Sequence, residues 1–257
     1  MHLYISIHPM IRVKDKINKQ AKKLKNLSTR LFNSNSLVLS QSTAYEVIAE
    51  YKQTRVRYYA SPNRQYKEPL VFVPPLAINM AIYDLYPYRS LVKHFQNSGF
   101  DVYLMEWGQF NYQDRFLNFM SFINDAIPHC IEQICQHSKS EQISLHGWSM
   151  SGVFVMLYSA LHPINRVKNL IVLGSPVDSY ASGYIGTIVK NLNHLIHKSL
   201  SLQNKIYSGH VPKQFIHTPG LLNALVFKMI DPKGWLKSQK RLLLNLDNRQ
   251  ALYEHAT

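Results

Sequence analysis

The chain has 257 residues, 46 % of them hydrophobic, which suits one α/β domain with an insertion and a core of its own. Its two cysteines, Cys130 and Cys135, exclude a disulfide framework and carry no zinc spacing, so both are expected as buried helix residues, with no metal and no cofactor. The net charge of +14 either attracts anions (acidic lipid, nucleic acid or a phosphorylated substrate) or simply solubilises the surface, and no specific nucleic-acid partner is expected.

The N-terminus, Met1-His2-Leu3-Tyr4-Ile5, lacks the positive region and long apolar run of a signal peptide. No stretch approaches the roughly 20 apolar residues of a membrane span, so the expectation is a cytoplasmic protein, at most peripheral at a surface. Residues 11–30 carry eight basic residues against Asp15 alone, a net of +7 and half the excess of the whole chain. Val13, Ile17, Ala21, Leu24 and Leu31 recur at helical spacing over 11–33, with lysines on the other face. Such a helix either docks its apolar stripe on its own domain or lies on an anionic membrane or polymer-granule surface.

Thr54–Tyr59 alternates and reads as an antiparallel strand. Leu70–Val73 is short and continuously apolar, the mark of a parallel strand covered on both faces, and Pro74-Pro75 ends it. A helix over Ser90–Asn97 stopped by Gly99, a strand over Val102–Met105, a long helix over Asp114–His137 and a strand from Ile143, ending at His146, follow. A helix at Gly152–Leu161 and a strand at Leu170–Gly174 complete the alternation. Strand and helix alternate at the spacing of a mostly parallel sheet flanked by helices. After residue 177 the pattern turns helical, at 188–196, 221–230 and 242–246, broken by prolines. Three regions are expected: a basic amphipathic helix and linker over 1–40, an α/β core over 41–177, and a helical cap over 178–257 that is incomplete.

Gly147-Trp148-Ser149-Met150-Ser151 joins the strand from Ile143 to the helix at Gly152–Leu161. Ser149 sits between small residues, Gly147 and Ser151. A strand-to-helix turn needs them, because bulkier side chains would collide with the flanking strand and helix. Such a turn lifts the hydroxyl above the sheet edge and points helix N-terminal N–H groups at any oxyanion formed there. A plain surface turn would read the same in isolation. The layout resembles the nucleophile elbow of α/β-hydrolases, with Ser in place of the last Gly. In that superfamily one oxyanion donor is the residue after the nucleophile, here Met150. The other comes from the loop after Val73, where Pro74 and Pro75 have no N–H, leaving Leu76 or Ala77. A triad would need an acid and a histidine downstream. Asp178, Asp231, Asp247 and Glu254 are on offer, with His162, His194, His197, His210, His217 and His255. None falls in the expected strand–loop setting. His146, beside the elbow, reads as structural.

Phe72-Val73-Pro74-Pro75-Leu76-Ala77-Ile78-Asn79, Tyr83-Asp84-Leu85, Ser90-Leu91-Val92, Gly99-Phe100-Asp101-Val102 and Met105-Glu106-Trp107 occur in order at compatible distances. With the elbow and Gly174-Ser175-Pro176-Val177-Asp178, they resemble the polyhydroxyalkanoate synthase family over roughly residues 54–180. The resemblance implies an α/β-hydrolase-like fold and acyl transfer on hydroxyacyl thioesters, with an acyl-CoA or ester as substrate. Two departures matter. The family's nucleophile is a Cys, and a Ser there also suits an ester or thioester hydrolase. The family's Asp and His lie on strands beyond the cap, so the last strands are expected to be missing. An inactive remnant or binding module is therefore the third reading.

Overall fold

The computed structural model describes residues 8–76, 80–162, 166–178 and 231–256, with scattered positions between 180 and 228. The chain divides into two compact units. One comprises Ser42–Asp84 and Tyr88–His217; the other comprises Met1–Gln41, Leu85–Pro87 and Thr218–Thr257.

The smaller unit opens with helix α1, His8–Phe32. The stripe Ile17, Leu24 and Leu31 stays 62–68 % exposed. Polar groups of the helix bond the C-terminal segment. Lys19 and Lys23 pair with Asp247, Lys23 Nζ donates to the Leu244 carbonyl, and Asn26 Nδ2 donates to the Leu246 carbonyl at 2.6 Å. A small cluster of Leu37, Leu242, Leu246 and Leu252 is buried in this unit.

The larger unit is built on one six-stranded sheet. Its strands are β1 (Glu46–Tyr51), β2 (Thr54–Tyr59), β3 (Leu70–Val73), β4 (Val102–Glu106), β5 (Ile143–Trp148) and β6 (Val167–Leu173). They lie in the order β1-β2-β4-β3-β5-β6. β1, β2 and β4 pair antiparallel, and β4, β3, β5 and β6 pair parallel. This is the expected mostly parallel sheet.

Period-two alternation divides β3 between two cores. Val71 and Val73 face one core with Tyr103, Met105 and Leu145; Leu70 and Phe72 face the other with Val102 and Leu104. All four residues of β3 are buried, as a strand covered on both faces requires. The first core is closed by α3 (Ile127–Ser138) and α4 (Met150–Leu161) through Ile127, Ile131, Ile134, Phe154 and Val155. The second is closed by α2 (Leu91–Asn97) through Val92, with Tyr83 beside it. Ser90 caps α2 by accepting from the Lys93 N–H at 3.0 Å, which fixes where the helix begins.

One helix departs from expectation. The helical pattern from Asp114 to His137 is broken once: a 3₁₀ turn at Tyr112–Phe116 stands apart, and a wide turn at Ser121–Ala126 runs directly into α3. Leu117 is extended, at φ −64 and ψ 140, and breaks the first from the second. Pro128 has no N–H to donate, so the ladder is interrupted there. The turn before it widens, with the Ile127 N–H reaching back to Phe122.

In the smaller unit the C-terminal segment forms helices α5 (Pro232–Leu244) and α6 (Arg249–Ala256). The patterned stretches 188–196 and 221–230 fall largely outside the described residues. No helix among the described residues is long and apolar enough to cross a membrane.

Candidate active site

β5 runs into α4 with Ser149 as the only residue between them. Ser149 takes φ 56 and ψ −125, one of four positive-φ residues other than glycine among the described residues. That backbone costs about 1–3 kcal/mol and persists only where the surroundings over-determine it. They do so here. The Ser149 N–H donates to the Leu173 carbonyl of β6 at 2.9 Å, and the Ser149 carbonyl accepts from the Gly152 N–H at 3.0 Å. Ser151, fully buried, accepts from the Trp148 N–H at 2.9 Å and donates to the Trp148 carbonyl at 2.8 Å. Sequence pattern treats Ser151 as a stand-in for glycine; the hydroxyl in fact ties the turn together.

The small residues have geometric reasons. A Cβ on Gly147 would stand 2.6 Å from the Ser151 carbonyl oxygen, 2.7 Å from Gly152 Cα and 2.7 Å from Val155 Cγ2. A Cβ on Gly152 would run into the Ser175 side chain. Strand, turn and helix therefore approach closely only because these two side chains are absent.

β3 sets the position of the neighbouring loop. Its register pairs Val73 with Gly147, so Pro74–Leu76 and Trp148–Met150 leave the sheet at the same edge. Two buried aromatic side chains hold the loop's carbonyls. Tyr83 Oη donates to the Val73 carbonyl at 3.2 Å, and Trp107 Nε1 donates to the Pro74 carbonyl at 2.6 Å. Burial raises the Tyr83 hydroxyl well above the usual tyrosine range, against a contact with the Ser151 side chain that lowers it, so the group stays a donor. Of the expected oxyanion donors, Met150 is the first residue of α4 and Leu76 packs half-buried against the core. Ala77 lies outside the described residues.

His146 lies on β5, buried between rings. It meets Phe72 edge-on at 5.0 Å and Tyr83 at 6.0 Å between centroids. Among the described residues its Nδ1 has no hydrogen-bond partner, and desolvation by burial lowers its pKa, against a backbone hydrogen bond that raises it. Cys130 and Cys135 are buried on α3, where burial pushes the Cys130 thiol up to about 12. A thiol so raised makes a poor nucleophile.

The described acids are engaged elsewhere. Asp178 accepts from the Tyr180 and Ala181 N–H groups, Asp231 caps α5 through the Gly234 N–H, and Asp247 pairs with Lys19 and Lys23. His162 Nδ1 bonds the Tyr158 carbonyl at 3.0 Å, with its ring tilted against that of Tyr158. Among the described residues no histidine is hydrogen-bonded to the Ser149 side chain. His197, His210 and His217 lie outside the described residues, as do the side chains of Glu254 and His255.

A family model for the α/β hydrolase fold matches residues 68–241. Several poly(3-hydroxyalkanoate) polymerase subunits PhaC are similar to the chain. That of Synechocystis sp. is 37 % identical over 43 % of this chain and 29 % of its own length. That of Thiocystis violacea is 30 % identical over 60 % of this chain and 43 % of its own length. That of Haloferax mediterranei is 27 % identical over 80 % of this chain and 40 % of its own length. The chain thus covers less than half the length of each of these relatives. The family match runs through the parallel strands β3 to β6, the proline loop and the strained serine turn, and the chain belongs to the α/β hydrolase fold family, in which it is similar to the poly(3-hydroxyalkanoate) polymerases.

Proposed function

We propose that the chain carries the nucleophile-bearing part of an enzyme that transfers acyl groups from hydroxyacyl thioesters. Ser149 is the nucleophile, and the N–H groups of Met150 and of Leu76 or Ala77 are the oxyanion donors. The observation that carries this reading is Ser149 at φ 56 on a strand-to-helix turn, with the proline loop leaving the neighbouring strand at the same edge.

In the reaction the Ser149 oxygen attacks the thioester carbonyl carbon, and the developing oxyanion draws on the two N–H donors. Collapse breaks the carbon–sulfur bond. The acyl group remains as an ester on Ser149, and the thiolate leaves with the proton that the hydroxyl gave up. A second hydroxyl then takes the acyl group: that of another hydroxyacyl unit gives transfer, and that of water gives hydrolysis. No general base is assigned to a histidine of this chain.

The serine itself favours a second reading, hydrolysis of an ester or thioester. An oxygen ester is a poorer acyl donor than the thioester a cysteine would form, so it resists onward transfer. The engagement of Asp231 in a helix cap, of Asp247 with two lysines and of His162 with a backbone carbonyl favours the third, a remnant or binding module. Residues 11–30 are the part we assign to an anionic membrane or polymer-granule surface.

The test sets hydroxyacyl-CoA consumption beside hydrolysis of a simple ester of the same acyl length. Thiol release that comes without a matching yield of free hydroxy acid, and that Ser149→Ala abolishes, supports acyl transfer; thiol release matched by free acid supports the hydrolase. Ester hydrolysis alone supports the hydrolase. Activity that Ser149→Ala leaves unchanged rejects both.

A further inference from the structure

Pro74 and Pro75 deprive the loop after β3 of two N–H groups, so nothing before Leu76 can be held there by backbone donation. What holds the loop is acceptance. The Val73 and Pro74 carbonyls receive the Tyr83 hydroxyl and the Trp107 indole N–H.

Counting torsions shows what the second bond does. The Pro74 carbonyl lies in the peptide plane that ends at the Pro75 nitrogen, and peptide planes are rigid. The Pro75 ring fixes φ near −65°. Once the Pro74 carbonyl is pinned, a single soft angle, ψ of Pro75, separates it from the plane that carries the Leu76 N–H. The Trp107 bond thus removes most of the freedom with which that N–H is aimed.

Trp107 is well placed to act as a fixed point. It follows β4, which is β3's partner in the sheet, and is 5 % exposed. Its ring meets Phe122 edge-on at 5.2 Å. Tyr83 is fully buried against Phe72 and His146. Neither side chain hydrogen-bonds Ser149, although the Tyr83 hydroxyl also meets the Ser151 side chain of the turn, so Trp107 is the cleaner test.

We propose that Trp107, assisted by Tyr83, is a positioning residue that aims the Leu76 N–H as an oxyanion donor toward Ser149. This rests on the reading of Ser149 as nucleophile.

The probe is a fluorophosphonate, whose reaction with a serine develops negative charge on a phosphoryl oxygen and so reports on the donors. Trp107→Phe keeps an aromatic ring against Phe122 and deletes the N–H. Tyr83→Phe deletes the other donor. Labelling of Ser149 is followed against probe concentration in the whole chain and in both variants, with amide exchange of β3 and β5 measured in parallel.

A misaimed donor slows the step at saturation by about tenfold or more in Trp107→Phe, while the half-saturating concentration and the protection of both strands stay unchanged. Tyr83→Phe gives a smaller loss in the same sense. Trp107→Phe labelling as fast as the unaltered chain overturns the positioning role while leaving Ser149 as nucleophile. So does slower labelling matched by lost protection of β3 and β5, which is loosening of the fold. Absence of Ser149 labelling in the unaltered chain overturns the nucleophile reading, and the positioning role with it.

Discussion

At the scale of single residues, the turn at Ser149 is held by close approach and hydrogen bonding together. Gly147→Ala tests the first. Its Cβ would press on the backbone of Ser151 and Gly152 and on Val155, none of which can swing away cheaply. The expected loss is about 1–3 kcal/mol of unfolding free energy in denaturant titration, the usual cost of overpacking a filled site. An unchanged midpoint would contradict the packing described. His146 gives a test in pH. Burial lowers its folded-state pKa below the ordinary value of about 6.5, so the unfolded chain binds the proton more readily. Its contribution is intact above pH 6.5 and declines as pH falls from there through the folded-state value. His146→Phe should flatten that part of the stability profile; a slope identical to the parent's would show the proton is taken up elsewhere. Ser149 between small neighbours was legible because the pattern is local. The Ser151 hydroxyl bonds were not, since the pattern counts serine only as small. The Trp107 bond was beyond sequence reach, because it depends on β4 lying beside β3 though the two are about 30 residues apart.

At the scale of elements, the strands with continuous apolar runs were readable and the marginal ones were not. β1 escaped notice because its residues are exposed or half-buried and its alternation is weak. The helix from Asp114 to His137 was drawn too long because apolar spacing continues across Leu117, where extended backbone breaks it, while Pro128 only widens the turn before it. α1 was legible as a helix, with docking on its own domain and an anionic surface both open for its apolar stripe. Ile17, Leu24 and Leu31 are exposed, while Lys23 and Asn26 bond the carbonyls of Leu244 and Leu246. An apolar stripe flanked by lysines is suited to an anionic interface. Each well-placed basic residue contributes about 1 kcal/mol there. Binding of the chain to anionic vesicles should fall steeply between low and physiological salt and weaken on Ile17→Ser or Leu24→Ser. Salt-independent binding, or none at low salt, would contradict the assignment.

At the scale of the whole molecule, the parallel strands β4, β3, β5 and β6 carry their carboxyl ends to one edge, and the serine turn and the proline loop both sit there. Sequence reached this arrangement because each strand is short, apolar and followed by a helix or a proline break. It did not reach the partners of Ser149, because acids and histidines after residue 177 carry no strand context to rank them. Asp178, Asp231 and Asp247 prove to serve a turn, a helix cap and an ion-pair cluster. The central claim is that the strained turn presents Ser149 as a nucleophile. The most direct test is to treat the whole chain with a fluorophosphonate and locate the adduct by peptide mass spectrometry. The account predicts one adduct, on Ser149, absent from Ser149→Ala and from heat-unfolded protein. An adduct on another serine, or equal labelling before and after unfolding, would contradict it.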